Sequence, residues 1–185
     1  MSIAPPVAAS VPKETVAVTD SGPVASLTCG VSSATRLTDE GIGDLKPGRP
    51  VAEVKRLCNV TSDSRQRGAE GQMERVIAIA IDAEVIPAEV VDDRVWRIAV
   101  TTSRFTTSDS LGVDTPLRRI AHTRGAQFAP GEDAVYGFVA AHCGLSFRFS
   151  LPMRPPAGGQ WTVAAIDRDH GDAVVDRVLV KKCAQ

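Results

Sequence analysis

Apolar residues recur with period two over much of this chain, which predicts strands before it predicts anything else. From Arg94 to Val100, Trp96, Ile98 and Val100 share one face, with Val95, Arg97 and Ala99 on the other. Met73 to Ile81 sets Val76, Ala78 and Ala80 against Ile77, Ile79 and Ile81, apolar on both sides, as in a covered strand. Asp82 to Val91 continues it as a hairpin-like edge, with Pro87 at an edge or bend because proline has no N–H for an interior ladder. Ala134 to Ala141 and Leu145 to Leu151 predict a further hairpin, with Leu145, Phe147 and Phe149 on one face. Trp161 to Ile166 and Ala173 to Val180 read as the last two strands, joined by an acidic turn, Asp167 to Asp172.

Helical spacing is confined to two short runs. Val51, Val54, Leu57 and Cys58 form one apolar face behind Pro50, predicting a helix over about Pro50 to Cys58. Thr115-Pro116 supplies a cap and a first-turn proline for a second, reaching to about His122 with Leu117 and Ile120 inward. Asn59 to Gln72 is polar and reads as a loop, and Thr101 to Ser110 as a polar connection around Arg104-Phe105. Gly48 to Val54 aligns with Asp114 to Ile120, so each helix restarts one pattern: loop, helix, loop, strands. The expected fold is α+β, an antiparallel sheet of two helix-plus-strands repeats with the short helices on one face. The repeats would span about 41–103 and 104–183 of a domain at 29–185, preceded by an extended arm at 1–28.

That arm is rich in Ala, Val, Pro and Ser, and Pro5, Pro6, Pro12 and Pro23 block continuous helix. Such a composition suits an extended arm that cannot bury much of itself: either a disordered tail or an arm held by a partner surface. Pro5, Pro6 and Pro12, with Arg104 and Phe105 as the one large pair in the polar connection, are the expected partner contacts.

Charge and composition narrow the functions. A net charge of −1 gives no electrostatic case for nucleic acid, and 4% aromatic residues give none for base stacking. No apolar run approaches the roughly 20 residues that cross a bilayer. Met1 is followed by neither a basic nor an apolar leader region, which leaves a cytosolic chain, a processed one, or atypical export. The four cysteines have no C-x-x-C spacing; they suit two disulfides in an oxidising compartment or four thiols in the cytosol. If disulfides form, Cys143 with Cys183 is the favoured pair, because both lie in strand-like C-terminal segments. No phosphate-binding loop, nucleophile elbow or metalloprotease motif occurs. His142-Cys143 resembles a nucleophile pair only in sequence, since adjacent strand residues point apart. The expectation is a protein that is not an enzyme and uses no cofactor or metal.

The run from Asp92 to Ile120 together with His142 to Ser150 resembles an uncharacterised domain of bacterial envelope proteins, frequent in Gemmatimonas-like bacteria. Its pattern is an apolar strand, then R-F-x-T-x-D-S-L-G-V-G-T-P-L, and later C-G-L-S-F. Arg104-Phe105, Thr107, Asp109 to Val113, Thr115 to Leu117 and Cys143 to Phe147 match, while Asp114 replaces the second glycine. The repeat also looks like that of the β-lactamase-inhibitory proteins and of small outer-membrane assembly lipoproteins. The resemblance implies a periplasmic binding or scaffold module whose partners are protein subunits of a larger membrane-associated complex. In photosynthetic members of that group it implies an accessory subunit of a reaction-centre–light-harvesting complex. The alternative is a stand-alone inhibitor-like or ligand-binding envelope module.

Overall fold

Repeat logic governs the backbone of the computed structural model, which describes residues 27–183 apart from 69–70, 132, 153, 155–158 and 160. Among them, strands β1 (Asn59–Arg67), β2 (Met73–Ile81), β3 (Glu84–Val91) and β4 (Arg94–Val100) follow helix α1 (Val51–Leu57). Helix α2 (Leu117–Ala121) precedes β5 (Gln127–Pro130), β6 (Val135–Phe138) and β7 (Leu145–Phe149), and helix α3 (Val163–His170) precedes β8 (Arg177–Lys181). They form one antiparallel sheet in the order β1-β2-β3-β4-β8-β7-β6-β5, so the last strands of the two halves meet at its centre. The fold is α+β with the sheet dominant, as the alternation predicts.

The two helix starts share their hydrogen bonds. Val51 N–H donates to Asp93 O and Leu117 N–H to Ala173 O, at 2.9 and 2.7 Å. Val95 N–H donates to Arg49 O and Val175 N–H to Thr115 O, both at 2.9 Å. Gly48 and Asp114 each donate to the following strand segment, at Val95 O and Val175 O, and both have positive φ, 86° and 67°. Asp114 therefore keeps the left-handed backbone that a glycine would adopt there, a conformation Asp tolerates better than most residues.

The core lies between one sheet face and the helices. Ile77, Ile79, Ile86, Ile98, Val100, Phe147, Phe149 and Val178 meet Val54, Leu117, Ile120 and Ile166, all fully buried. Leu37, Ile42, Leu45, Phe105 and Leu111, from the loops before each helix, complete it.

Several expectations need correction. Residues 59–72 are not a loop: Asn59–Arg67 is edge strand β1, paired to β2. Its side chains are nearly all exposed, so no apolar alternation marked it. Pro87 is not at a sheet edge, since β3 lies between β2 and β4. The β3·β4 ladder runs only from Ala88 to Val91, so Pro87 has no partner there to lack an N–H for. A register shift at Glu89/Val90 places an extra residue in β4, so Val95 is buried and Trp96, expected inward with Ile98, is 56% exposed. Trp161 to Ile166 is not a strand: the Thr162 hydroxyl accepts from Ala165 N–H and starts α3. Asp167 to His170 therefore sit in that helix's last turns rather than in a hairpin, and β8 begins only at Arg177.

Phe105 is the sharpest reversal. It is fully buried and is core, not a partner contact. Arg104 lies over its ring at 5.0 Å and pairs with Asp82 at 2.6 Å, which closes the ring off from solvent. Pro5, Pro6 and Pro12 lie outside the described residues.

Candidate functional site: the open sheet face

Helices cover one face of the sheet, and strand alternation turns every other residue to the opposite face. Leu179 on β8 and Ala99 on β4 are cross-strand partners there; Ser146 is the partner of Leu179 on β7. Arg97 on β4 faces Lys181 on β8, and Arg148 on β7 faces Arg177 on β8. The open face of the central strands thus carries an apolar row between two cationic rows.

Two adjoining hollows open on this face. One, of about 320 Å³, is lined by Val76, Pro87, Ala99, Arg97, Tyr136, Arg177 and Leu179, with Glu74 and Glu89. The other, of about 260 Å³, shares Arg97, Tyr136 and Leu179 and adds Phe138, Ser146 and Lys181. Both are near the lower end of small-molecule pocket sizes. Leu179, between them, is only 7% exposed, because the long polar side chains on either side shield it.

Ion pairs fix part of the charge. Arg97 donates through Nε and Nη2 to Glu89 Oε1, at 2.9 and 2.7 Å. Burial disfavours the Arg97 charge, but the bonds to Glu89 outweigh it and its pKa is pushed up. Arg148 donates to Asp176 at 2.6 Å and to Asp133 at 2.8 Å; Ser150 also bonds Asp176. Burial opposes the Arg148 charge too, and its two carboxylates raise its pKa well above the ordinary range. Burial alone would raise the Asp133 pKa, yet bonds from Arg148 and from Tyr136 Oη, at 3.0 Å, hold it below the usual carboxylate value. The Tyr136 phenol is raised, by burial and by the same carboxylate. Arg177 differs in having no ion pair among the described residues; its Nε is buried without a hydrogen-bond partner, as are Arg148 Nε and Asp176 Oδ1 beside it.

The predicted cysteine pair does come together. Cys143 and Cys183 are disulfide-bonded with Cα atoms 5.4 Å apart, and Cys29 pairs with Cys58 in the core. Two disulfides fit an oxidising compartment. With its sulfur bonded, Cys143 is not a thiolate nucleophile. His142 instead bridges loops, with Nε2 3.0 Å from Asp109 and Nδ1 3.8 Å from Asp39. Asp39 lies near both Cys143 and Cys183 sulfurs, but sulfurs joined to each other do not offer thiolates to a metal. Gly144 passes so close to Asp39 that an added Cβ would sit 2.5 Å from its carbonyl oxygen, which explains a glycine after the cysteine.

Arg104 and Phe105 line neither hollow of the open face. The face itself was written in the polar positions of alternating strands: Arg97, Arg148, Arg177 and Lys181. Their convergence depends on β8 inserting between β4 and β7, which no local pattern announces.

No protein family and no curated protein matches the sequence. Among solved structures, the chain is similar to the uncharacterized protein yfeY from Escherichia coli, with a TM-score of 0.54, 20% identity, and coverage of 80% of this chain and 99% of that one. At that identity the likeness shows a shared fold.

Proposed function

We propose that this chain is a non-catalytic accessory subunit that docks on a larger membrane-associated complex at the periplasmic face. The observation that carries the reading is the sheet face left uncovered by helices, with two hollows and an arginine that has no ion pair among the described residues, on a frame held by two disulfides. The disulfides support an oxidising compartment. Among the described residues no helix is long and apolar enough to cross a membrane. The resemblance to envelope domains of Gemmatimonas-like bacteria extends the reading to a photosynthetic reaction-centre–light-harvesting complex as host.

Deleting residues 1–28 tests it. The shortened chain is expected to fold, judged by an unchanged melting profile, and to separate from its complex on mild purification. Unchanged co-purification would refute docking by the arm. Recovery with proteins unrelated to photosynthesis would refute the specific host.

The two hollows favour a second reading, a stand-alone inhibitor-like or ligand-binding module. A monomeric chain with full ligand affinity and no associated subunits would establish that alternative.

A further inference from the structure

The open face carries an arrangement that folding alone does not explain. Like charges directly opposite in a sheet destabilise it. Here two such pairs flank the Leu179 row, Arg97 with Lys181 and Arg148 with Arg177. Glu89 answers Arg97, and Asp133 and Asp176 answer Arg148. Arg177 and Lys181 have no ion pair among the described residues, and the Arg177 Nε is buried without an acceptor. Glu74, another carboxylate of the hollow, stands on β2, three strands from β8. An unmet guanidinium beside a second one is a cost that an incoming anion would remove.

We propose that this face binds an acidic, extended segment of a partner protein, deepening the docking reading on which it rests. Arg177 and Lys181 are four residues apart on β8, about 13 Å along a strand. Leu179 lies between them on the same face. An extended segment with carboxylates at positions i and i+4 and an apolar side chain at i+2 matches that spacing. Its apolar side chain packs on Leu179, Ala99 and Pro87, and one carboxylate takes the Arg177 fork. The two hollows share Arg97, Tyr136 and Leu179, so a chain lying along β8 would border both.

The probe is the peptide Ser-Glu-Thr-Leu-Thr-Glu-Ser, titrated into the full chain and followed by amide chemical shifts. Shifts are expected in β4 and β8, with affinity at least tenfold weaker in Arg177→Glu and in Lys181→Glu. Arg177→Gln is expected to melt no lower than the parent, since it removes an unpaired charge facing Arg148. No shifts at millimolar peptide, equal shifts from the peptide with lysines in place of glutamates, or undiminished binding by both charge-reversed variants would each overturn the inference. So would glutarate alone saturating the same amides at equal concentration, which would assign the face to small acids. If Arg177→Glu/Lys181→Glu still co-purifies with the complex while removal of residues 1–28 releases it, docking stands and this inference falls.

Discussion

At the scale of single residues, burial decides roles that side-chain size had suggested otherwise. Phe105 occurs in a polar stretch, where a large aromatic reads as a contact for something outside. It is instead the anchor of the loop that leads into the second repeat, and Arg104 shields it. Phe105→Ala should cost about 3–5 kcal/mol of stability, as for a buried phenylalanine lost to a cavity. Urea unfolding measures it, and a loss below about 1 kcal/mol would remove Phe105 from the core. Charged residues make a separate prediction. Asp63, bonded by Arg75 and Lys55, lies well below its ordinary pKa of 3.8. Asp109 and Asp133 are also lowered, although burial pulls both the other way; bonds from Thr107 and His142, and from Arg148 and Tyr136, prevail. A carboxylate with a depressed folded pKa binds protons more readily when unfolded, so its stabilisation is complete above the unfolded value and disappears as pH falls through the folded one. Stability should thus hold above about pH 5 and decline steadily below about pH 4. Denaturant midpoints taken across that range check the slope, and Asp133→Asn should flatten part of it. A midpoint constant down to about pH 2 would contradict the assignment.

Among the elements, strands with several alternating buried residues were legible, while Arg124 to Pro130 reads as a link although Gln127–Pro130 is strand β5, whose four residues bury only Phe128. Met73 to Ile81 and Leu145 to Phe149 were visible because Ile and Phe alternate. Asn59 to Arg67 was invisible because edge strand β1 buries almost nothing, and its structure comes from the ladder with β2. Trp161 to Ile166 failed for another reason: six residues with apolar ends fit either period, and the Thr162 cap decided for helix. The proline-started repeat was legible because Pro50 and Pro116 mark the same backbone event twice. Disulfides belong to this scale too. Cys29 and Cys58 are both fully buried, whereas Cys143 is exposed. Loops of 29 and 40 residues make each bridge worth about 3–4 kcal/mol. Mild thiol should open Cys143–Cys183 first and leave Cys29–Cys58 intact; timed alkylation with mass spectrometry reads the order, and the reverse order would contradict the burial of the N-terminal pair.

For the whole molecule, the decisive join is β4 against β8. Arg97 to Val100 pair with Val178 to Lys181, and the four strands β1 to β4 meet the other four in the sheet only there. This join also assembles the cationic open face, which is why the candidate site was the least legible part: Lys181 and Arg97 are 84 residues apart in sequence and become neighbours through topology alone. There is a consequence for biosynthesis. Of the eight strands, the ribosome releases the central one last. Until β8 emerges, β4 and β7 both present unpaired edges, the form of nascent chain that invites pairing with other chains. Cys183 lies just beyond β8, so its bond to Cys143 can only close once the gap is filled. In a growing chain, that second bridge acts as a latch on a sheet completed from its middle.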